Sequence, residues 1–402
     1  MSSCIPRVQV SRQSPAYRLL GYAVLMLFVG TTIPTPLYRV YQTKLGFSSG
    51  VLTLLFAVYV FALLPLLMVV GRISDRIGRR PPLLAGFAAA AGGSALFAAG
   101  DGLASLFVAR ILQGIATGLI APTATAALAE LQPARDTGKA AYLATAANVG
   151  GAAIGPAFGG VLAQYAPWPT VLPYLAHLLL MLPVIGLSAM PETVTARRPF
   201  KFEPRRPQVP REILREFRLS AAVSFTVWAA TALYLTLAPS YVAKLLGLAN
   251  LAAGGGIVCL MLGASALAQT ALRRLPPRIG MATGLGALIP GLGGVVLAAP
   301  LHSASLLFAA TLVVGLGQGL AYVGSLTLLN GIAPEQRRGD VTAAFYVVTY
   351  VGVAVPVIGV GFGAQVIGLF AAVAVFAALV GASALVLVVT TVHEMARSRD
   401  QR

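Results

Sequence analysis

Long apolar runs, separated by short polar or basic breaks, follow one another along the chain. A helix crossing a bilayer needs about 20 apolar residues, because each residue advances about 1.5 Å through a hydrocarbon core about 30 Å thick. On that measure twelve spans are predicted, at residues 18–38, 50–70, 81–99, 103–128, 139–163, 168–190, 219–242, 251–272, 279–299, 303–329, 340–364 and 367–392. Strand barrels are the other way across a bilayer, and they show segments of roughly ten residues alternating polar and apolar. Stretches such as Leu83 to Ala99 are continuously apolar, so helices are predicted. The expected fold is an all-α membrane protein of twelve helices in two six-helix bundles. The N-terminal tail covers 1–17, the first bundle 18–190, a central loop 191–218, the second bundle 219–392 and the C-terminal tail 393–402.

Composition agrees with this reading. Of the 402 residues 57% are hydrophobic and 10% charged, against about 25% charged in a soluble domain. The net charge of +17 would suggest nucleic acid in a soluble protein, but here the charge sorts by loop. Twenty-five of the 29 basic residues lie in the tails or in the loops after even-numbered helices. The opposite side has Arg39, Lys44 and Lys244, and Arg110 falls inside helix 4. By the positive-inside rule both termini are cytoplasmic, and a multi-pass protein of a bacterial inner membrane is expected, acting as a monomer. Cys4 and Cys259 imply no disulfide framework. The first 16 residues lack a basic n-region leading into a short apolar segment and cleavage site, so the first apolar run is expected to stay as helix 1. Three dispersed histidines, two distant cysteines and no Gly-x-x-x-x-Gly-Lys-[Ser/Thr] loop give no metal-ligand cluster, disfavour ATP-driven pumping by this chain alone and make an enzyme the least supported reading. No cofactor is expected.

The central loop is rich in Arg and Pro, with Arg197, Arg198, Lys201, Arg205 and Arg206. It then turns amphipathic at Ile213, Leu214 and Phe217, flanked by Arg211, Arg215 and Arg218. A solvated linker and a short helix lying on an anionic leaflet both fit this pattern. The halves on either side look related. At an offset of 201 residues Gly114 pairs with Gly315, Gly118 with Gly319, Pro133 with Pro334, Gly138 with Gly339, Gly151 with Gly352 and Gly160 with Gly361. Two bundles arising by duplication are predicted, an architecture common among secondary transporters.

Three motifs carry chemistry. Between helices 2 and 3 stands Gly71-Arg72-Ile73-Ser74-Asp75-Arg76-Ile77-Gly78-Arg79-Arg80. Here the chain resembles the major facilitator superfamily, whose loop reads Gly-x-Leu-[Ala/Ser]-Asp-[Arg/Lys]-x-Gly-Arg-[Arg/Lys]; only Ile73 departs from it. Gly71 is expected to let a neighbouring helix approach and Gly78 to permit a tight turn. The resemblance implies that Asp75 sits at the N-terminus of helix 11, near Gly339, while Arg76, Arg79 and Arg80 pair with acids on facing loops. The assembly would act as a conformational latch. In helix 4, Arg110, Gln113 and Gly114 resemble the superfamily's Arg-x-x-Gln-Gly. A charge at that depth costs at least about 2.5–3.5 kcal/mol on insertion scales and must face a partner, water or the bundle interior. In helix 5, Gly151, Gly155, Pro156, Gly159 and Gly160 match Gly-x-x-x-Gly-Pro-x-x-Gly-Gly, similar to the superfamily's drug–proton antiporters. The glycine stripe is expected to pack on helix 8 at Gly254, Gly255 and Gly256. Pro191-Glu192-Thr193 after helix 6 resembles a short tag of the same group.

The departures matter as well. All twelve acids read as loop, tail or helix-end residues, so a permanently cationic substrate would find no buried counter-ion, and Arg110 would repel it. Neutral or weakly anionic amphiphiles fit better. Candidate cavity residues are Met26, Phe28, Thr32, Tyr59, Gln113, Asn148, Trp228, Tyr234, Gln318, Tyr322, Tyr346 and Tyr350, each equally able to serve packing. His177, near the middle of helix 6, is a candidate proton carrier by its unperturbed pKa of about 6.5, and core packing is the competing role. The function expected is export of small amphiphilic compounds by alternating access, with the proton gradient as energy source and the lipid bilayer, protons and a small-molecule substrate as partners. A proton-coupled importer of a sugar or organic acid and a channel are the rival readings.

Overall fold

A computed structural model describes residues 7–133, 136–194, 209–245, 247, 249–271, 274–334 and 337–400. The basic residues 197–206 of the central loop lie outside this set, as do Cys4 and Arg135. Regular structure among the described residues is helical throughout, as expected where backbone groups must satisfy one another within each segment. Among the described residues, twelve helices are long and apolar enough to cross a membrane. They are α1 Pro15–Leu45, α2 Ser49–Ile77, α3 Arg80–Ala99, α4 Leu103–Leu131, α5 Gly138–Tyr165, α6 Leu172–Ala189, α7 Arg211–Thr236, α8 Leu251–Ala271, α9 Pro277–Ala298, α10 Ala304–Ile332, α11 Arg338–Val366 and α12 Leu369–Arg397.

Three spans differ most from the sequence expectation: the second runs seven residues further, to Ile77, and the first and seventh are broken near prolines. The first was expected to end at 38 but continues to Leu45, interrupted at Ile33 where Pro34 lacks an N–H for the ladder. Gly46 then closes it in the left-handed conformation, at φ +67°. The seventh starts earlier and ends sooner than expected, at Thr236, followed by a separate short helix, Ala238–Leu245, with Pro239 in its first turn. The amphipathic stretch around Phe217 is therefore the near end of α7, and not a separate helix on the leaflet. Phe217 is buried beside Leu329, Val341 and Phe345, so the apolar face is used by the bundle and is unavailable to lipid.

Within the first half α4 packs on α2 and α3, and α1 on α5; within the second, α10 packs on α8 and α9, and α7 on α11. The halves meet along α5–α8 and α2–α11. Residues such as Leu179 and Ile185 on α6, and Leu379, Val386 and Val389 on α12, are exposed apolar side chains. This outer face is suited to a hydrocarbon solvent.

Candidate functional site

At the centre of the first half, Arg110 projects from α4 and is 1% exposed. Its Nη1 donates to the Thr31 carbonyl at 2.9 Å and to Gln113 Oε1 at 2.8 Å. Gln113 Nε2 in turn donates to the Gly30 carbonyl at 2.9 Å. One turn of α4 is thus tied to the backbone of α1 just before its break at Ile33. Three rings surround the guanidinium: Tyr38 at 5.2 Å, Phe56 at 5.7 Å and Tyr59 at 5.8 Å from ring centroid to Cζ. Such contacts favour a cation most where water is excluded. Sequence reasoning picked out Tyr59 and missed Tyr38 and Phe56, because no residue spacing marks an aromatic that meets a cation on another helix.

Further aromatic side chains lie across the interface between the halves. Tyr59 on α2 is within electrostatic range of Tyr350 on α11, while Tyr322 on α10 lies 6.3 Å from Phe345 of α11, and Phe345 lies 6.0 Å from Tyr346. Trp228 on α7 meets Tyr322 edge-on at 5.4 Å. Of the expected cavity residues, the structure brings together Tyr59, Gln113, Trp228, Tyr322, Tyr346 and Tyr350. Others are engaged elsewhere. Phe28 and Thr32 pack α1 against Gly151 and Gly155 of α5, Tyr234 hydrogen-bonds Thr311 at 3.2 Å, and Gln318 accepts from Ser265 of α8. Asn148 is half-buried on α5. The Met26 carbonyl lies 2.8 Å from His177 Nε2, and His177 Nδ1 lies 3.0 Å from Ser94 Oγ. Both ring nitrogens are occupied, and His177 fastens α6 to α1 and α3. An apolar cavity of about 410 Å³ lies apart from this centre, between α7, α11 and α12, lined by Phe225, Pro356 and Phe376.

The loop between α2 and α3 forms a second cluster. Arg79 is buried, pairing with Asp75 at 2.5 Å and Glu130 at 2.6 Å and donating to Ser74 Oγ at 2.7 Å. Burial works against its charge, but the Glu130 and Asp75 carboxylates outweigh that and hold its pKa above the ordinary arginine value. Glu192 accepts from the backbone N–H groups of Arg79 at 2.7 Å and Arg80 at 3.2 Å, capping α3 where free donors and the dipole favour an anion. Arg80 donates to the Ser188 carbonyl, and Thr193 to Glu130. Gly78 turns the chain at φ +106°, and a Cβ there would overlap the Glu192 carboxylate, so both space and conformation call for glycine. The Pro191-Glu192-Thr193 tag is therefore part of the loop's clamp.

Three expectations are corrected. Asp75 pairs with Arg79, one turn further on, and not with the N-terminus of α11; the tie to α11 is the Arg72–Asp340 pair at 2.7 Å. Gly71 makes no close approach, since a Cβ there would meet nothing within 4 Å; α2 stays helical to Ile77, and the turn is made at Gly78 instead. The stripe Gly151, Gly155 and Gly159 packs on α1, against Leu25, Val29 and Ile33, and not on α8. The adjacent face of α5 meets α8: Gly160 lies against the Leu251 carbonyl, and Gly255 against the Pro156 carbonyl. Residues four apart share one face of a helix, and their sequence neighbours lie about 100° round it. The motif therefore serves two partners. Of the three α8 glycines only Gly255 meets α5; Gly254 faces Pro239, and Gly256 faces open space.

Residues 19–357 match the Major Facilitator Superfamily. The puromycin resistance protein pur8 of Streptomyces alboniger is 31% identical over 198 residues, 47% of this chain and 39% of that protein. The quinolone resistance protein NorA of Staphylococcus aureus is 24% identical over 146 residues, 36% of this chain and 38% of that protein. The chain thus spans less than half the length of these curated relatives. Among solved structures, a bacterial homologue of the human lysosomal transporter Spinster, in an inward-facing and unoccupied conformation, superposes with a TM-score of 0.70 at 14% identity, covering 95% of each chain.

Proposed function

The chain belongs to the Major Facilitator Superfamily and is a multi-pass membrane transporter rather than an enzyme, and we propose that it exports small amphiphilic compounds, neutral or weakly anionic, in exchange for protons. Arg110 carries this reading: one buried cation, walled by aromatic rings, with no carboxylate among the described residues forming an ion pair to it. The described ion-paired acids, Asp75, Glu130, Asp136, Asp340 and Glu394, lie at helix ends or in loops. At close range in a medium of low dielectric, two like charges repel strongly, so a permanently cationic compound is disfavoured. The aromatic path from Tyr59 to Trp228 suits an apolar body. Support for export comes from the helix 5 motif and from the resistance named in pur8 and NorA.

In this reading both tails are cytoplasmic, in a bacterial inner membrane. The halves rock about the α5–α8 and α2–α11 contacts, and breaking Arg72–Asp340 opens the cytoplasmic end. One proton crossing 100 mV supplies about 2.3 kcal/mol, sufficient for tens-fold accumulation. The test uses inside-out vesicles acidified within and a neutral amphiphile such as labelled chloramphenicol. Accumulation that collapses with a protonophore supports export by antiport. Accumulation indifferent to the gradient overturns the coupling, and gradient-driven uptake in right-side-out vesicles alone overturns the direction.

A further inference from the structure

Arg110 is only half used. Its Nη1 serves Thr31 and Gln113, while Nε and Nη2 are buried with no hydrogen-bond partner in the protein. These two nitrogens make up one edge of the guanidinium plane, where parallel N–H bonds match the two oxygens of a single carboxylate. The fork is held in place from behind by Gln113 and on its faces by Tyr38 and Tyr59, so its orientation is set before any ligand arrives. On α1, Tyr38, whose ring lies 5.2 Å from the guanidinium, and Thr35 also leave their hydroxyls buried without a partner. Across the interface, at the far end of the aromatic path, Trp228 Nε1 is in the same condition. Buried polar groups in native proteins are nearly always satisfied, and here Arg110 alone leaves two donors open.

We propose that the Nε/Nη2 edge of Arg110 is a carboxylate-binding subsite, and that the transported compounds include aromatic or aliphatic monocarboxylates whose apolar body lies along Tyr59, Tyr350, Tyr322 and Trp228. The proposal rests on the transporter reading and adds the group recognised and the residue that recognises it. A single negative charge is specified because Arg110 is a single positive one: a dianion would leave an unmatched charge in the same buried space. Thr35 and Tyr38 are one helical turn apart on α1 and so share a face, the face whose Tyr38 ring meets the anchor.

The test is equilibrium binding to the purified full-length protein, in detergent at neutral pH, of benzoate, 2-naphthoate and decanoate, each against its own primary amide. Acid and amide share the body and differ in charge, so their affinity ratio reads the anchor alone. The wild type should prefer at least one acid over its amide by about tenfold, the scale of one charge-assisted hydrogen bond. Arg110→Gln should bring that ratio to near one while leaving amide binding in place, and Arg110→Lys should recover part of the preference. Equal affinity for acid and amide in all three pairs overturns the proposal, as does an Arg110→Gln protein that keeps the preference. Should Arg110→Gln fail to fold, Tyr38→Phe and Thr35→Val supply the same reading, with a reduced ratio expected and an unchanged one counting against the subsite. Vesicle transport of the same acids separates this proposal from export. Binding through Arg110 without gradient-driven movement sinks the exporter and keeps the anchor; export of chloramphenicol untouched by Arg110→Gln, with no acid preference, does the reverse.

Discussion

The helices α4 and α10 occupy equivalent places in the two halves, and they agree in backbone contacts while differing in chemistry. A Cβ at Gly114 would overlap the Tyr59 carbonyl of α2, and one at Gly315 would overlap the Met261 carbonyl of α8. Gly118 lies against Leu63 and Leu66, and Gly319 against Ser265. The same holds for α5 and α11. Gly151 sits on the Leu25 carbonyl and Gly352 on that of Phe225, 201 residues on. Where the halves meet, a Cβ at Gly160 would lie 2.6 Å from the Leu251 carbonyl, and one at Gly361 would lie 2.8 Å from that of Ser49. Yet the position matching Arg110 is Thr311, which is fully buried and hydrogen-bonds Tyr234 at 3.2 Å. Close helix approach is what both halves need, so glycine is present in both. The charge is needed once, and one half has it.

Moving that charge across should break the comparison most severely. Thr311→Arg puts a cation into a fully buried position whose described hydrogen-bond partner is the Tyr234 hydroxyl. The expected loss is about 2.5–3.5 kcal/mol, read as a large drop in thermal stability in detergent and in folded protein per cell. A stable Thr311→Arg protein would mean that α10 contains an unrecognised anion site. Next in size is the pair Gly114→Leu and Gly315→Leu. Overpacking a close contact costs typically about 1–3 kcal/mol, and here the obstacle is backbone carbonyl, which cannot step aside. Both variants should lose transport and stability to similar extents if the halves are equivalent scaffolds. Loss in only one would show that the shared glycines serve different ends.

Much of this was legible in the sequence because a bilayer enforces it. The number of helices follows from apolar run length, and the repeat from Gly and Pro held in step over 201 residues. What escaped was the partner of each face. The Gly151, Gly155 and Gly159 stripe announced a smooth surface, but nothing local said that α1 would cover it while α8 took the Pro156–Gly160 side. The end of α1 was hidden because the apolar run gives out near residue 38, while the helix, interrupted at Ile33, continues to Leu45. Glu192 caps α3 across more than a hundred residues, a distance over which sequence spacing carries no signal. The walls of Arg110 were only partly visible, since Tyr38 and Phe56 are ordinary aromatics until α1, α2 and α4 are brought together.

The smallest expected effect concerns the loop that both halves share least. In the first half Arg79 locks α2, α3, α4 and the Glu192 tag together from a buried position. The corresponding end of the second half has Glu394, 8% exposed, paired with Arg215 at 2.9 Å and Arg278 at 3.8 Å. Only Arg72–Asp340 in this loop network joins one half to the other among the described ion pairs, and its side chains are 49% and 34% exposed. An exposed pair contributes about 0.2–1 kcal/mol, so Arg72→Gln and Asp340→Asn should leave the melting temperature nearly unchanged, whereas Arg79→Gln should lower it clearly. A contact worth so little to stability can still bias two conformations whose free energies are close, because a ligand-free equilibrium shifts by the differential term alone. Transport rates in vesicles should therefore change in Arg72→Gln and return towards normal in the charge swap Arg72→Asp with Asp340→Arg. A swap that stays as slow as the single variants would place the switch in the buried Arg79 cluster and leave Arg72–Asp340 as surface decoration.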